Sequence, residues 1–143
     1  MIDYLNGIFA KAGIPLRPFD RETGISENDL NGIHVSLTYS KDLKSLLVSG
    51  VIMDIDDLYD PLFKKLEKKV LSMNAVDFLP EKFRIGIDVL ELQVIISGLM
   101  GLDRHDDNLA ALAERLVKTA IFYATESQKM LFSEYEKMQN SCG

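Results

Sequence analysis

Two short segments of the chain carry enough acidic and imidazole groups to suggest a metal site. The denser one precedes the last predicted helix, and its possible ligands are Asp103, His105, Asp106 and Asp107. Histidine and carboxylate groups bind metal ions, but acidic residues directly before a helix are also expected as N-terminal caps. We interpret this cluster as helix capping, with a metal site or an enzyme that uses His105 as the alternative.

The second acidic segment is Asp54-Ile55-Asp56-Asp57, and it fails the pattern of a calcium-binding loop. An EF-hand loop counted from Asp54 needs glycine at its sixth position and glutamate at its twelfth, where this chain has Tyr59 and Lys65. Capping of the following helix explains these carboxylates. We therefore predict no metal site here.

The patterns of nucleophilic catalysis are also missing from the sequence. Ser49 and Ser97 each precede a glycine, but neither lies in a G-x-S-x-G motif, and no phosphate-binding glycine loop occurs. The single cysteine, Cys142, is next to last, so no internal disulfide can form. His34 alternates with strand residues and is expected to face solvent or a partner. The sequence predicts neither an enzyme nor a cofactor, so function must be sought on surfaces.

The composition is that of one ordinary globular domain. Hydrophobic residues make up 47% of the 143 residues and charged residues 27%, which excludes a disordered chain. A net charge of −6, from 22 acidic and 16 basic residues, argues against binding to nucleic acid, because phosphates attract basic surfaces. The apolar runs are too short for a bilayer and the N-terminus lacks signal-peptide features, so we predict a cytoplasmic protein without a membrane partner.

Hydrophobic periodicity predicts an α+β fold in the order helix, hairpin, helix, hairpin, helix, with an antiparallel sheet. The helices are expected at residues 1–12, 57–73 and 107–135, and the hairpins pair 33–39 with 46–53 and 83–88 with 92–100. Residues 15–32 are expected to form a loop with a short strand around Ile25. These elements make one predicted domain, residues 1–135, followed by a frayed tail, residues 136–143.

Both return strands are apolar on their two faces. In the first, one face carries Leu46, Val48, Gly50 and Ile52, and the other carries Leu47, Ser49, Val51 and Met53. In the second, one face carries Leu92, Val94, Ile96 and Met100, and the other carries Ile95 and Leu99. One face of such a strand can pack on a helix of the same chain. The other face needs a second layer or a partner, because a large exposed apolar face is a binding surface or an aggregation hazard.

Three segments make the chain resemble the class I chaperones of bacterial type III secretion, the family that includes the Tir chaperone. Residues 1–15 resemble the family's opening amphipathic helix, which ends in a Gly-x-Pro turn, here Gly13-Ile14-Pro15. Residues 33–66 resemble its hairpin and second helix, and residues 109–131 resemble its closing helix. The resemblance covers most of the chain. It implies a non-enzymatic homodimer that keeps the N-terminal segment of a cognate secreted effector extended and competent for export, without nucleotide.

Two sets of apolar residues are predicted to form binding surfaces. The effector-binding set comprises Ile2, Leu5, Phe9, Leu16, Phe19, Val35 and Leu37, of which Phe19 and Val35 are expected to be exposed. The dimer set on the second helix comprises Tyr59, Leu62, Phe63, Leu66 and Val70. The alternative for both sets is the core of a single chain, because one domain can bury one apolar stripe. The alternative function is a regulatory or adaptor domain of the same fold that binds a folded protein.

Overall fold

The described part of the chain, residues 1–75, 78–102 and 108–142 of a computed structural model, forms three helices and five strands. The helices are α1 (Ile2–Ala12), α2 (Pro61–Ala75) and α3 (Leu109–Cys142). The strands are β1 (Ile25–Leu30), β2 (Ile33–Ser40), β3 (Ser45–Asp54), β4 (Phe83–Asp88) and β5 (Gln93–Gly101). The predicted α+β class and both predicted hairpins are confirmed.

The five strands form one antiparallel sheet in the order β1-β2-β3-β5-β4. Strands β1, β2 and β3 pair in succession, and the β4–β5 hairpin joins them through the pairing of β5 with β3. The two strands that are apolar on both faces, β3 and β5, are therefore neighbours inside the sheet. Strands β1 and β4 form its two edges.

Strand β1 is longer than the short strand near Ile25 that the sequence predicts. It runs for six residues and pairs with β2 through the two-residue turn Asn31-Gly32. Both turn residues have positive φ, 53° at Asn31 and 79° at Gly32. This is the geometry of a type I′ hairpin turn, for which Asn-Gly is preferred because both residues tolerate the left-handed region. The Asn-Gly dipeptide was thus a hairpin signal within the predicted loop.

The helices cover one face of the sheet. Helix α3 packs across β2, β3 and β5, while α1 packs on α3 and α2 packs on α3 and β4. At Gly50 the approach is close, because an added Cβ would lie 3.2 Å from Ile96 Cγ2 and 3.8 Å from Ala124 Cβ. A side chain at this position would press first on Ile96 of the neighbouring strand β5, while Ala124 of α3 is already at van der Waals distance. The fully buried core between sheet and helices includes Leu5, Leu37, Leu46, Ile52, Leu66, Met73, Ile96 and Leu131.

Helix α2 begins at Pro61, later than the predicted start at residue 57. Asp60 Oδ1 accepts the backbone N–H of Leu62 at 2.9 Å, and Asp57 Oδ1 accepts that of Tyr59 at 2.9 Å in the preceding turn. Asp60 is thus the N-cap, and Pro61 fits the first helical position because its missing N–H needs no partner there. The prediction that the carboxylates of residues 54–57 cap this helix is therefore wrong in its residues: Asp60 is the cap, Asp57 bonds within the preceding turn, and Asp54 ends β3 and accepts a bond from Gln93 Nε2.

Helix α3 continues to Cys142, so the predicted helix end at residue 135 is too early, and the segment predicted to fray from residue 136 is helical up to Cys142. Glu136, Lys137, Met138 and Gln139 are good helix formers, and the long preceding helix removes the cost of nucleation. Although α3 has 34 residues, no helix in the described ranges is apolar enough over a sufficient length to cross a membrane.

Candidate partner-binding surfaces

Most of the predicted effector-binding residues lie in the core. Leu5, Phe9, Phe19, Val35 and Leu37 each expose 4% of their surface or less, and Ile2 and Leu16 are half-buried. The Phe19 ring packs on Phe9 with centroids 5.8 Å apart. The Asn6 amide accepts the Phe19 N–H at 2.7 Å and donates to the Phe19 carbonyl at 3.2 Å. The expectation that Phe19 and Val35 are exposed is therefore wrong.

Most of the predicted dimer residues also lie inside the single chain. Phe63, Leu66 and Val70 are buried, because this stripe of α2 faces α3 and β4. Leu62 is half-buried, and Tyr59 is 83% exposed. An α2 interface between two copies would have to use Tyr59 and Leu62 together with the exposed lysines of the helix, and not the predicted stripe.

The face of the sheet turned away from the helices carries three apolar or hydroxyl cross-strand pairs. They are Leu47 with Leu99, Ser49 with Ser97, and Val51 with Ile95. On β3 these side chains are half-buried, whereas the alternate residues on the helix-covered face are buried. We call these six residues the open face. None of them is charged, which distinguishes the open face in a chain with 27% charged residues.

Strand β1 presents backbone hydrogen-bonding groups at one edge of the sheet. The Gly24 carbonyl accepts the Tyr39 N–H, so the alternation of an antiparallel ladder turns Ile25, Glu27 and Asp29 away from β2. Ile25 is engaged on the outer side, where its N–H donates to Thr23 Oγ1 and its carbonyl accepts the N–H of Asp20. The backbone groups of Glu27 and Asp29 face outward next to no further strand of the described chain.

Strand β4 closes the opposite edge with side chains and loop groups. The Asn74 amide donates to the Ile85 carbonyl at 2.6 Å and accepts the Ile85 N–H at 2.8 Å, so it occupies both outward groups of that residue. The Phe83 N–H donates to the Pro80 carbonyl at 3.2 Å. An added strand is therefore obstructed at β4 and accommodated at β1.

An apolar notch of about 180 Å³ lies beside the end of β1. Its apolar lining comprises Ile14, Pro15, Leu16, Leu30, Val117 and Ile121, and Glu114 and Lys118 also line it. The segment that supplies Leu16 is fixed to β1 at Arg17, whose carbonyl accepts the Ser26 hydroxyl at 2.6 Å and whose N–H donates to Asn28 Oδ1 at 2.7 Å. Leu16 is thus the predicted effector-binding residue that lines a cavity next to the open edge.

The turn before β1 is built on Asp20. Its carboxylate accepts the backbone N–H groups of Glu22 at 2.8 Å and Thr23 at 3.0 Å. The hydrogen bonds from Thr23 and then Glu22 lower the pKa of the Asp20 carboxyl, because they stabilise its charged form. The turn is therefore set by an ionised aspartate above acidic pH.

The metal-site alternative gains no support in the described ranges. No group of three or more His, Cys, Asp or Glu side chains there is arranged to hold a metal ion. His34 is exposed, as expected, and its Nδ1 lies 2.9 Å from Asp29 Oδ1. Asp103, His105, Asp106 and Asp107 lie outside the described residues.

The fold matches chains in solved structures of two protein complexes. A chain in the crystal structure of the ExsC–ExsE complex has a TM-score of 0.66 and 17% sequence identity, with 92% of this chain and 96% of that chain covered. A chain in the structure of the HopA1–SchA chaperone–effector complex has a TM-score of 0.58 and 13% identity, with 87% and 90% covered. No protein-family model matches the sequence, and no curated protein matches it significantly.

These likenesses concern the fold, since both identities are below 25%. The chain has a fold like that of a chain in the ExsC–ExsE complex and of a chain in the HopA1–SchA chaperone–effector complex. The coarse resemblance inferred from the order of elements is therefore confirmed at the level of the fold.

Proposed function

We propose that this chain is a cytoplasmic type III secretion chaperone without enzymatic activity or cofactor. As a homodimer it binds the extended N-terminal segment of a cognate secreted effector and keeps that segment competent for export. The fold shared with chaperones of known complexes supports this class of function. The site has to be argued from this chain's own surfaces.

One observation carries the proposal, the open β1 edge beside the apolar notch. A partner segment in extended conformation can pair its backbone with the outward groups of Glu27 and Asp29. Such pairing tolerates many sequences, because main-chain hydrogen bonds supply the affinity and pockets for alternate side chains supply the selectivity. The notch lined by Leu16 and Leu30 is one such pocket. Binding in this mode holds the partner unfolded without any chemical step.

The test combines partner identification with a variant that blocks the β1 edge. Tagged protein is used to capture partners from its native cell, and mass spectrometry identifies them. Glu27→Pro removes an N–H that points away from β2, so it should prevent strand addition while keeping the β1–β2 ladder. We expect capture of a secreted protein through its N-terminal segment, weakened roughly tenfold by Glu27→Pro.

The matched control is Glu27→Ala, which removes the same charge but keeps the N–H. It should capture the partner as well as the unchanged protein does. Equal capture by Glu27→Pro and Glu27→Ala, with equal melting temperatures, would rule out the β1 edge. Capture of a folded cytosolic protein would favour the alternative, a regulatory or adaptor domain.

We further propose that the homodimer forms through the open face. Two copies that each carry a charge of −6 repel one another, so their contact is best made by a neutral apolar surface. The open face is neutral, whereas the exposed side of α2 carries Lys64, Lys65 and Lys68. In a twofold dimer through α2, these lysines would approach the equivalent lysines of the second copy and repel them. An interface through Tyr59 and Leu62 of α2 is the competing arrangement.

A further inference from the structure

A groove crosses the end of the sheet that carries the Asn31-Gly32 turn. Two cavities of about 460 Å³ and 210 Å³ form it, and they adjoin because Met53, Asp54 and Phe132 line both. The larger cavity reaches Asp29 at the β1 edge. The smaller one reaches the turn before α2. We call the two together the acidic groove.

The floor of the acidic groove is apolar. Phe132 of α3 is 48% exposed, although its neighbour one residue earlier, Leu131, is fully buried in the core. Phe63 and Leu66 of α2 line the smaller cavity beside it. An exposed phenyl ring next to a recess of this size offers a packing surface that the chain itself leaves partly uncovered.

Among the described residues that line it, the acidic groove has five carboxylates and one imidazole, that of His34, whose Nδ1 lies 2.9 Å from Asp29 Oδ1. Its lining includes Asp29, Asp54, Asp56, Asp57 and Asp60, and no lysine or arginine is among the described residues that line either cavity. The whole chain has 16 lysine and arginine residues, so their absence from the described lining of the groove does not result from a low content of basic residues. Like charges close together repel unless an opposite charge lies between them, and the groove therefore favours a cationic occupant.

We propose that the acidic groove binds a basic stretch of the partner's extended segment, in which lysine or arginine flanks an apolar side chain that packs on Phe132. The inference rests on the proposed function. Asp29 connects the two sites, because it belongs both to the β1 edge and to the groove. A segment paired along β1 would therefore leave the strand beside the acidic groove. The groove would then select partners by charge, which strand pairing alone cannot do.

The carboxylates differ in how freely they can bind a partner. Asp57 and Asp60 accept backbone N–H groups at the start of α2, so their replacement would disturb the helix. Asp54 accepts Gln93 Nε2 at 3.2 Å, a bond that asparagine can retain. Asp54→Asn with Asp56→Asn thus removes two charges from the groove and leaves the helix cap intact.

The experiment measures binding of three synthetic twelve-residue peptides by fluorescence anisotropy at low salt. All three have leucine at alternate positions, and the positions between hold lysine, serine or glutamate. We expect the lysine peptide to bind most tightly and the glutamate peptide most weakly. Asp54→Asn/Asp56→Asn should weaken the lysine peptide about fivefold and leave the serine peptide unchanged. Phe132→Ala should weaken both of these peptides.

The charge-matched control is Glu22→Gln/Asp42→Asn, which removes two exposed charges that do not line the groove. It should bind the lysine peptide like the unchanged protein. An equal loss in this control would show that net charge alone attracts the peptide, and the acidic groove would be discarded. A change of oligomeric mass with Asp54→Asn/Asp56→Asn would also overturn the proposal, because the groove would then be a contact between copies.

The serine peptide separates this proposal from the proposed function. In one outcome the serine peptide binds while the lysine peptide shows no additional affinity that depends on Asp54 and Asp56. In that case the proposal of a basic occupant in the acidic groove is wrong, whereas the proposed binding of extended segments stands. If no peptide binds and no secreted partner is captured, both proposals fail.

Discussion

At the scale of single residues, the binding surface and the core compete for the same apolar side chains. Phe19 and Leu16 lie three positions apart on the segment before β1, yet Phe19 is buried against Phe9 while Leu16 lines the apolar notch. The difference follows from Asn6, because its side-chain amide hydrogen-bonds to both the N–H and the carbonyl of Phe19 and so orients that ring toward the core. We therefore expect substitutions of Phe19 to act on stability and substitutions of Leu16 to act on the apolar notch.

Phe19→Asp is expected to unfold the protein or to lower its stability by at least about 4 kcal/mol. The reason is that it combines the loss of a buried aromatic side chain with the burial of an unpaired charge. Thermal melting followed by circular dichroism measures the effect. Leu16→Asp is the matched control, since it places the same charge on a half-buried position and should lower the melting temperature much less. Similar melting temperatures for the two variants would contradict the burial of Phe19.

Ser127→Ala is expected to stabilise the protein by about 1 kcal/mol. The Ser127 hydroxyl is fully buried in α3, and within the described chain its oxygen has no hydrogen-bond partner. The substitution removes a buried hydroxyl that has no hydrogen bond and introduces alanine, which has a higher helix propensity than serine. Urea denaturation measures the change, with the exposed Ser133→Ala of the same helix as a control for propensity alone. A loss of stability in Ser127→Ala would show that the hydroxyl is bonded.

At the scale of elements, the two edges of the sheet have different tasks. In the proposed function, a partner pairs with the outward backbone groups of Glu27 and Asp29 in β1, and the acidic side chains of these two residues oppose pairing with other sheet edges until a partner binds. Strand β4 is closed by Asn74 from α2, which ties helix and edge together. Within the described sheet, the proposed strand addition therefore takes place at β1.

Asn74→Ala is expected to cost about 1–3 kcal/mol, because both outward groups of Ile85 lose their partner. It should also open the β4 edge. Hydrogen exchange measured by NMR should show a faster rate at the Ile85 amide, while the amides of β3 change little. Ser72→Ala, on the same helix, is the control. Unchanged exchange at Ile85 in Asn74→Ala would mean that the β4 edge is protected in another way.

At the scale of the whole molecule, the proposed homodimer assigns self-association to the neutral open face and leaves the charged remainder of the surface in contact with solvent. The helix-covered face of the sheet already packs on α3, so the open face is the part of the sheet left for a second copy. A dimer built on it would border the acidic groove of each copy, because Val51 belongs to the open face and also lines the larger cavity. Each copy could then hold part of one extended partner.

Leu99→Lys is expected to convert the homodimer to a monomer in light scattering at micromolar concentration. The substitution places a charge at the Leu47–Leu99 pair, which lies at one end of the open face. Tyr59→Asp is the corresponding variant in the turn before α2 and should leave the mass unchanged. A monomer with Tyr59→Asp but not with Leu99→Lys would assign the interface to α2. A monomeric unchanged protein would remove the homodimer from the proposed function.

Local patterns in the sequence were sufficient for the element order and for the apolar character of β3 and β5. Alternation with period two marks a strand wherever it lies in the fold, and Asp60 with Pro61 marks a helix start through local hydrogen bonding. The Asn31-Gly32 signal was also local and could have revealed the β1–β2 hairpin. The fold class therefore followed from short-range information.

The tertiary structure decided which apolar face of a strand meets the core and which one remains uncovered. Leu47 and Val48 of β3 are equally apolar, yet Val48 is buried and Leu47 half-buried, because α3 packs on one side of the sheet. The acidic groove joins Asp29, Asp54 and Phe132 from three elements far apart in the chain, so no local pattern could place them together. Sequence periodicity reports that a side chain needs burial, whereas the packing of distant elements determines what buries it.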